Sequence, residues 1–163
     1  MKAIIYTSNT GSTAEYAQLL GKELNLPVHS LQQAKNKVPA GSEIIYLGWI
    51  MAGGIKGYKE AAKLYKVRAV CGVGMGQTGT QLKEVRDKNA IPQRIPLFTL
   101  QGNFDVKKLH GVYRFMMNVM VKTAGKGLAN KTDRTPEEDD MLDMMVNGGK
   151  RVSLQNMKAI TEW

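Results

Sequence analysis

The chain has 163 residues, one cysteine and a formal net charge of +9, which excludes an internally disulfide-stabilised fold and favours one domain over residues 1–163. The longest uncharged apolar stretch, residues 44–55, is too short to cross a bilayer, and no signal-peptide pattern opens the chain. We therefore expect a cytoplasmic protein without a transmembrane segment.

The first predicted elements are a buried strand at residues 2–7 and a helix at residues 14–24. Between them lie small, uncharged, mostly polar residues: Ser8, Asn9, Thr10, Gly11, Ser12 and Thr13. Free N–H groups and the dipole at the start of a helix favour an anion, so this loop predicts a phosphate site. It has neither the lysine of a nucleotide-triphosphate loop nor the spacing of a dinucleotide loop, although it could be a simple N-capped turn.

Strands and helices then alternate through the middle of the chain. Strands are predicted at residues 27–31, 43–48, 67–74 and 95–101, and helices at residues 57–65 and 78–89. Because the interior strands are apolar on both faces, they indicate a parallel sheet that is covered on both sides. Cys71 lies within one of these strands, where we expect a buried thiol and no nucleophile.

The last third departs from this alternation. An apolar stripe at helical spacing predicts a helix that covers one face of the sheet: Val112, Phe115, Met116, Val119 and Met120. Residues 122–134 are predicted to be a basic connection. Thr135, Pro136 and Glu138 then predict the capped start of another helix, which the glycines at 148 and 149 end.

Two more loops follow predicted strands at the edge where open parallel sheets bind ligands. One combines an aromatic ring, apolar side chains and two glycines: Trp49, Ile50, Met51, Ala52, Gly53 and Gly54. The other is rich in glycine and uncharged: Met75, Gly76, Gln77, Thr78 and Gly79. Beside a phosphate loop they predict a slot for a flat apolar ring with polar edges, although Trp49 could be a core residue and the glycines simple turns.

The loop at residues 8–13, with Leu47-Gly48-Trp49 and Gly74-Met75-Gly76 after later strands, resembles the flavodoxin-like FMN domains over essentially the whole chain. Residues 99–105, Lys108, Leu109 and the methionine-rich helix are similar to flavodoxin domains of the menaquinone-dependent protoporphyrinogen oxidase type. They are less similar to the small carrier flavodoxins, which are acidic and place a tyrosine in the loop that holds residues 75–79 here.

The resemblance implies a flavodoxin-like α/β three-layer sandwich, with a five-stranded parallel sheet of order 2-1-3-4-5 and helices on both faces. It implies noncovalently bound FMN, with residues 8–13 at its phosphate, residues 49–54 on one side of the isoalloxazine ring and residues 75–79 on the other. Because glycine permits large backbone changes, we predict that a peptide at Gly53 or Gly54 reorients to accept a hydrogen bond from the reduced ring.

These features predict electron transfer or flavin-dependent oxidoreduction, in which no side chain need be catalytic and no metal is bound. Whether the protein is an enzyme is left open; an enzyme of this type would be a quinone or porphyrinogen oxidoreductase. The alternative is a flavodoxin-fold module without flavin, which binds an acidic protein or nucleic acid through a basic face.

The positive charge is concentrated in residues 56–134, which carry a net charge of +11. This region predicts either an acidic redox partner protein or an anionic membrane surface as the partner, unless it is simply a solvated face. It lacks the aromatic interleaving of a single-strand binding platform and any recognition-helix pattern, so we expect no nucleic-acid partner.

Overall fold

A parallel sheet forms the centre of the protein in the computed structural model, which describes residues 1–104 and 111–163 without the side chains of residues 112, 113, 116 and 117. The strands are β1 (Ala3–Thr7), β2 (Val28–Ser30), β3 (Glu43–Met51), β4 (Gly54–Ile55), β5 (Lys66–Gly74) and β6 (Leu97–Gln101). Their order is β2-β1-β3-β5-β6, and β4 pairs antiparallel with the end of β3. The parallel strands alone have the predicted order 2-1-3-4-5, which confirms the predicted architecture.

Helices cover both faces of the sheet. They are α1 (Ser12–Leu24), α2 (Leu31–Lys37), α3 (Tyr58–Leu64), α4 (Leu82–Asn89), α5 (Gly111–Asn130), α6 (Pro136–Asn147) and α7 (Lys158–Thr161). Buried residues of α2, α3 and α4 pack on one face, and those of α1 and α7 pack on the other. The start of α4 falls later than predicted, because the amide of Gly79 and the hydroxyl of Thr78 hydrogen-bond to β6.

The interior strands bury both of their faces, as their apolar runs predict. Ile4 and Ile5 are both fully buried, and they point into the two opposite core clusters; Ile44 and Ile45 do the same in β3. Each such side chain contributes about 1.5–3 kcal/mol of burial free energy. Cys71 is also fully buried in β5, and burial raises the pKa of its thiol, so it is a structural residue as expected.

The prediction that the apolar stripe of α5 covers a sheet face is wrong for the side chains that the structure describes. Phe115 is 69% exposed and Val119 is 46% exposed, and α5 packs against α6. The sheet face beside α1 is instead covered by the C-terminal segment, through Met157 and Ile160. The side chains of Val112 and Met116 lie outside the described part.

Helix α5 also continues to Asn130 through much of the predicted basic connection. No proline interrupts residues 122–130, and the two glycines there cost about 1 kcal/mol each without ending the helix. The start of α6 is as predicted: Thr135 accepts a hydrogen bond from the amide of Glu138, whose carboxylate accepts one from the amide of Thr135.

Helices α5 and α6 form an antiparallel unit that we call the helical hairpin. Its two ends are tied together, because Phe104 after β6 and Gly149 after α6 form an antiparallel bridge with N···O distances of 2.9 and 3.2 Å. The hairpin therefore leaves and rejoins the fold at the carboxyl end of β6. Within the part that the structure describes, neither it nor any other helix is long and apolar enough to cross a membrane.

Candidate functional site

A cavity of about 540 Å³ lies at the carboxyl ends of the parallel strands. Its volume is within the range of small-molecule and cofactor sites, about 300–1,000 Å³. The predicted residues that line it come from all three predicted loops: Asn9, Thr10, Ser12, Thr13, Trp49, Ile50, Met51, Ala52, Gly53, Met75 and Gly76. The structure thus brings the three loops together around one space.

The remaining predicted residues do not line this cavity: Ser8, Gly11, Gly54, Gln77, Thr78 and Gly79. Ser8 shapes the first loop, because its hydroxyl accepts a hydrogen bond from the amide of Gly11 at 3.2 Å. Gly54 lies in β4, where it pairs with Met51 of β3. Gln77 lines a smaller neighbouring cavity of about 190 Å³. These six residues are neighbours in sequence of the lining residues, but they do not themselves line the cavity.

The first loop leaves the start of α1 open toward the cavity. Gly11 precedes the helix with a φ of 109°, and no side chain caps the first turn. The side chains of Asn9 and Thr10 make no hydrogen bond to any other described residue, whereas the hydroxyl of Ser12 accepts one from the amide of Asn103 at 2.9 Å. Free helical amides, the helix dipole and two free polar side chains therefore face the same space, which suits an anion.

The second loop is an ordered β-hairpin, although its glycine pair suggests flexibility. Ala52 and Gly53 form the two-residue turn between β3 and β4, with φ values of 48° and 76°. Two successive positive values are typical of a type I′ turn. This conformation costs about 1–2 kcal/mol of backbone strain at Ala52, since its Cβ crowds the backbone in the left-handed region. The turn that lines the cavity is held in shape by its surroundings.

Asn89 of α4 is the residue that holds this turn. It is only 5% exposed, and its side-chain oxygen accepts a hydrogen bond from the amide of Ile55 at 2.8 Å. Its side-chain nitrogen donates to the carbonyl oxygens of Gly53 at 2.9 Å and Val85 at 2.7 Å. Any reorientation of the Gly53 carbonyl, as predicted for flavin reduction, therefore has to break a buried hydrogen bond to Asn89.

Replacing Asn89 with alanine is expected to lower the free energy of unfolding by about 3 kcal/mol, because it leaves the Ile55 amide and the Gly53 carbonyl without their partner. Asn147→Ala is the matched control, since Asn147 is exposed and its side chain bonds only Asp143 among the described residues. That control should change stability by less than about 0.5 kcal/mol. Equal midpoints for the two variants in urea unfolding would contradict the assigned role of Asn89.

Further walls of the cavity are missing from the sequence-based prediction. They come from the ends of β5 and β6, from the start of α4 and from the helical hairpin: Val73, Gly74, Gln81, Glu84, Gly102, Asn103, Phe104, Met120, Ala124, Met141 and Met145. The position of residues 102–104 directly after a parallel strand was an available signal. No local sequence pattern indicates that the residues of the hairpin line the cavity, because their position depends on the contacts that fix the hairpin to the sheet.

A family model described as a flavodoxin domain matches residues 3–131. The chain belongs to this flavodoxin family. Comparison with curated proteins and with solved structures found no significant match. The matched residues include all three predicted loops and end before α6, so Met141 and Met145 add a wall to the flavodoxin site from outside the matched region.

In this flavodoxin domain, Asp140 anchors the helical hairpin to the sheet. It accepts hydrogen bonds from the side chain of Gln101 at 2.6 Å and from Arg151 at 3.0 Å. Burial alone raises the pKa of Asp140, but the hydrogen bonds from Gln101 and Arg151 outweigh burial and hold the pKa below its usual value. Because Gln101 ends β6, the contact fixes α6 beside the cavity mouth.

The hydrogen bonds of Asp140 to Gln101 and Arg151 should weaken in acid. A carboxylate whose pKa is lowered by folding contributes its full stabilisation above the unfolded value, about 4, and loses it as the pH falls through the folded value. The protection factors of the α6 amides, which correct for the slower intrinsic exchange in acid, should therefore fall more than those of α1 between pH 5 and pH 3. Asp140→Asn should show fast exchange in α6 already at pH 7. Asp139→Asn, whose side chain pairs with Arg134 on the surface, is the control and should leave α6 protected.

Proposed function

We propose that this flavodoxin domain binds FMN and acts in electron transfer or flavin-dependent oxidoreduction. One observation carries the proposal: the cavity has an uncapped helix start with Asn9 and Thr10 at its side, and Trp49 with several methionines on its other walls. An anion and a flat apolar ring are the two parts of FMN that need these two environments. The cavity and its chemistry therefore fit the cofactor that the family implies.

Different residues would bind the phosphate and the ring of FMN. The first-turn amides of α1, Asn9 and Thr10 would hold the phosphate as a handle. The described residues that line the cavity include no lysine, and the described part of the chain holds no cluster of metal-ligating side chains, so nothing there favours phosphate transfer. Trp49 and Met75 would pack on the isoalloxazine ring. When bound, the ring supplies the redox chemistry. The protein sets access to the ring, and the methionines of the hairpin keep water from it.

A finer proposal concerns the type of reaction. The similarity to the menaquinone-dependent protoporphyrinogen oxidase type suggests a quinone or a porphyrinogen as the reaction partner, and the apolar hairpin wall suits such a molecule. Part of the supporting run, namely Asp105, Lys108 and Leu109, lies outside the described residues. A panel of reductants and oxidants, with NADH, NADPH, reduced ferredoxin and a quinol, would distinguish these reactions from simple electron carriage.

Glu84 is the one charged side chain among the described residues that line the cavity. It lies against the β3–β4 turn, where a Cβ on Gly53 would be 3.3 Å from its carboxylate oxygen. A negative charge at this place disfavours the addition of electrons to a ligand in the cavity. Glu84 therefore belongs to the groups that set the flavin potential.

Glu84→Gln is expected to raise the midpoint potential of the bound flavin by about 30 mV, equal to about tenfold in the two-electron equilibrium, because it removes that charge. Asp87→Asn is the matched control, since Asp87 lies one turn further along α4 and does not line the cavity. Potentiometric titration of both variants checks this. Shifts of the same size in the two variants would show that Glu84 has no special position.

The proposal as a whole is tested by loading the apoprotein with FMN, FAD and riboflavin and measuring affinity by fluorescence quenching. Tight binding of FMN and weak binding of riboflavin are expected, since riboflavin lacks the phosphate. A protein that is colourless when purified and binds none of the three would overturn the proposal. It would then favour a flavodoxin-fold module that binds macromolecules without flavin.

A further inference from the structure

The outer face of α5 exposes apolar side chains that no described element covers. Phe115 is 69% exposed and Val119 is 46% exposed. Phe115 and Val119 are one helical turn apart, so they stand side by side on the helix surface. Aromatic and branched apolar groups that project from one long helix mark an interaction surface.

The same face is basic. Lys122 and Lys126 follow Phe115 and Val119 at helical spacing, and both are exposed. Arg114 adds a positive charge on another side of the helix, and the sequence from Gly111 to Asn130 contains no aspartate or glutamate. Neither lysine forms an ion pair with another described residue. A second copy of the chain is a poor partner for this face, because a symmetric contact would bring like charges together.

We propose that α5 docks onto an anionic lipid bilayer, with Phe115 and Val119 inserted at the boundary of the acyl chains and with Lys122 and Lys126 at the headgroups. A helix with exposed apolar groups, positive charges and modest overall hydrophobicity lies in the plane of the interface and does not span it. Long lysine side chains reach the headgroups while their stems stay in apolar surroundings. The negative surface potential of such a membrane attracts each lysine.

Helix α5 uses a different side toward the cavity. Met120 and Ala124 line the cavity. Because successive residues are turned by about 100° around a helix, they point away from the side that carries Phe115 and Val119. Docking through α5 would therefore hold the protein at the membrane surface without covering the cavity wall.

Sedimentation with vesicles tests the docking directly. The full chain, with and without FMN, is mixed with vesicles of phosphatidylcholine and phosphatidylglycerol, and separately with phosphatidylcholine alone. We expect binding to the anionic vesicles only, weakened by added salt. Phe115→Ser should weaken it about tenfold, since the apolar insertion is lost. Because vesicle binding needs no flavin, failure to bind FMN would leave this result unaffected.

A pair of charge-reversal variants separates α5 from the general positive charge. Lys122→Glu with Lys126→Glu should weaken binding by at least about tenfold. Lys59→Glu with Lys63→Glu changes the net charge equally, but on α3, and should bind nearly as well as the unchanged protein. Likewise Leu154→Ser removes a 54% exposed apolar side chain outside α5 and should have little effect.

An independent measurement does not depend on comparing affinities. Thr123→Cys keeps Phe115 and Val119 in place and lies on the same side of α5, one turn after Val119. Labelled at this exposed position with an environment-sensitive fluorophore, it should show a blue shift on anionic vesicles, since Cys71 is buried and stays unlabelled. Absence of vesicle binding, equal losses in the two charge-reversal variants, or no blue shift would each overturn the proposal. Binding of an acidic protein through α5 without any vesicle binding would assign the surface to that protein instead.

Discussion

Thr10→Asp is expected to abolish FMN binding. Thr10 lines the cavity beside the open start of α1, and a carboxylate there would face the phosphate that the first turn attracts. Two like charges about 4 Å apart repel by on the order of 4 kcal/mol in a partly buried protein site, which corresponds to about a thousandfold in affinity. The measurement is the dissociation constant of FMN for the refolded apoprotein, taken at constant salt.

Thr10→Asn is the control that isolates charge from shape. Asparagine has nearly the size of aspartate and keeps a hydrogen-bond donor for the phosphate, so its affinity for FMN should stay within about tenfold of the unchanged protein. Riboflavin extends the comparison, because it has no phosphate and should bind Thr10→Asp and Thr10→Asn equally. If the aspartate variant bound FMN as well as the asparagine variant, the phosphate would have to lie elsewhere in the cavity.

The phosphate loop could be predicted because every part of its signal is local. An apolar strand, a polar loop with glycine and the start of a helix follow one another within residues 2–24. The order of the parallel strands is an implication of the family resemblance, because apolar runs show which strands are buried but not which strands are neighbours. The hairpin β3–β4 and helix α2 were missed, because a two-residue strand and a seven-residue helix are too short to show a period. Ser30 and Gln33, which form a capping box, were the available signal for α2.

The part of the fold that packs against α5 could not be predicted in the same way. An apolar period shows that one face of a helix is apolar, but it does not show what lies against that face. The face of the sheet was already covered by α1 and by the C-terminal segment, whose four-residue α7 carries no periodic signal. The stripe that includes Met120 is therefore expected on the sheet, whereas Met120 lines the cavity beside Met141 and Met145 of α6.

Asn89 shows why a buried polar contact is hard to predict from a single sequence. A polar residue at the end of a polar helix normally faces solvent. Its partners Ile55 and Gly53 precede it by 34 and 36 residues, and they come close only because β4 folds back on β3. No spacing rule within α4 contains that information. The contact nevertheless fixes the turn that borders the predicted ring site.

Gly57→Ala is expected to cost about 4 kcal/mol of unfolding free energy, the largest loss among the single substitutions considered. Gly57 has a φ of 79°, and a Cβ there would overlap the hydroxyl oxygen of Tyr46 and lie 2.5 Å from the hydroxyl of Thr7. Those hydroxyls are hydrogen-bonded to each other at 2.7 Å, and the Tyr46 hydroxyl also donates to the carbonyl of Lys56. The strain of the left-handed backbone, the overpacking of the new methyl group and the loss of these hydrogen bonds each lower the free energy of unfolding.

Gly41→Ala separates the strain from the overlap. Gly41 has a nearly identical φ of 78°, but a Cβ there meets no atom within 4 Å, so this variant should lose only about 1 kcal/mol. A double-mutant cycle with Tyr46→Phe supplies the second check. Removing the Tyr46 hydroxyl makes room for the new methyl group, so Gly57→Ala should cost clearly less in the phenylalanine background than in the unchanged protein. If urea unfolding gave equal costs for Gly57→Ala and Gly41→Ala, or no coupling with Tyr46, then the packing of β1, β3 and α3 around Gly57 would be looser than described.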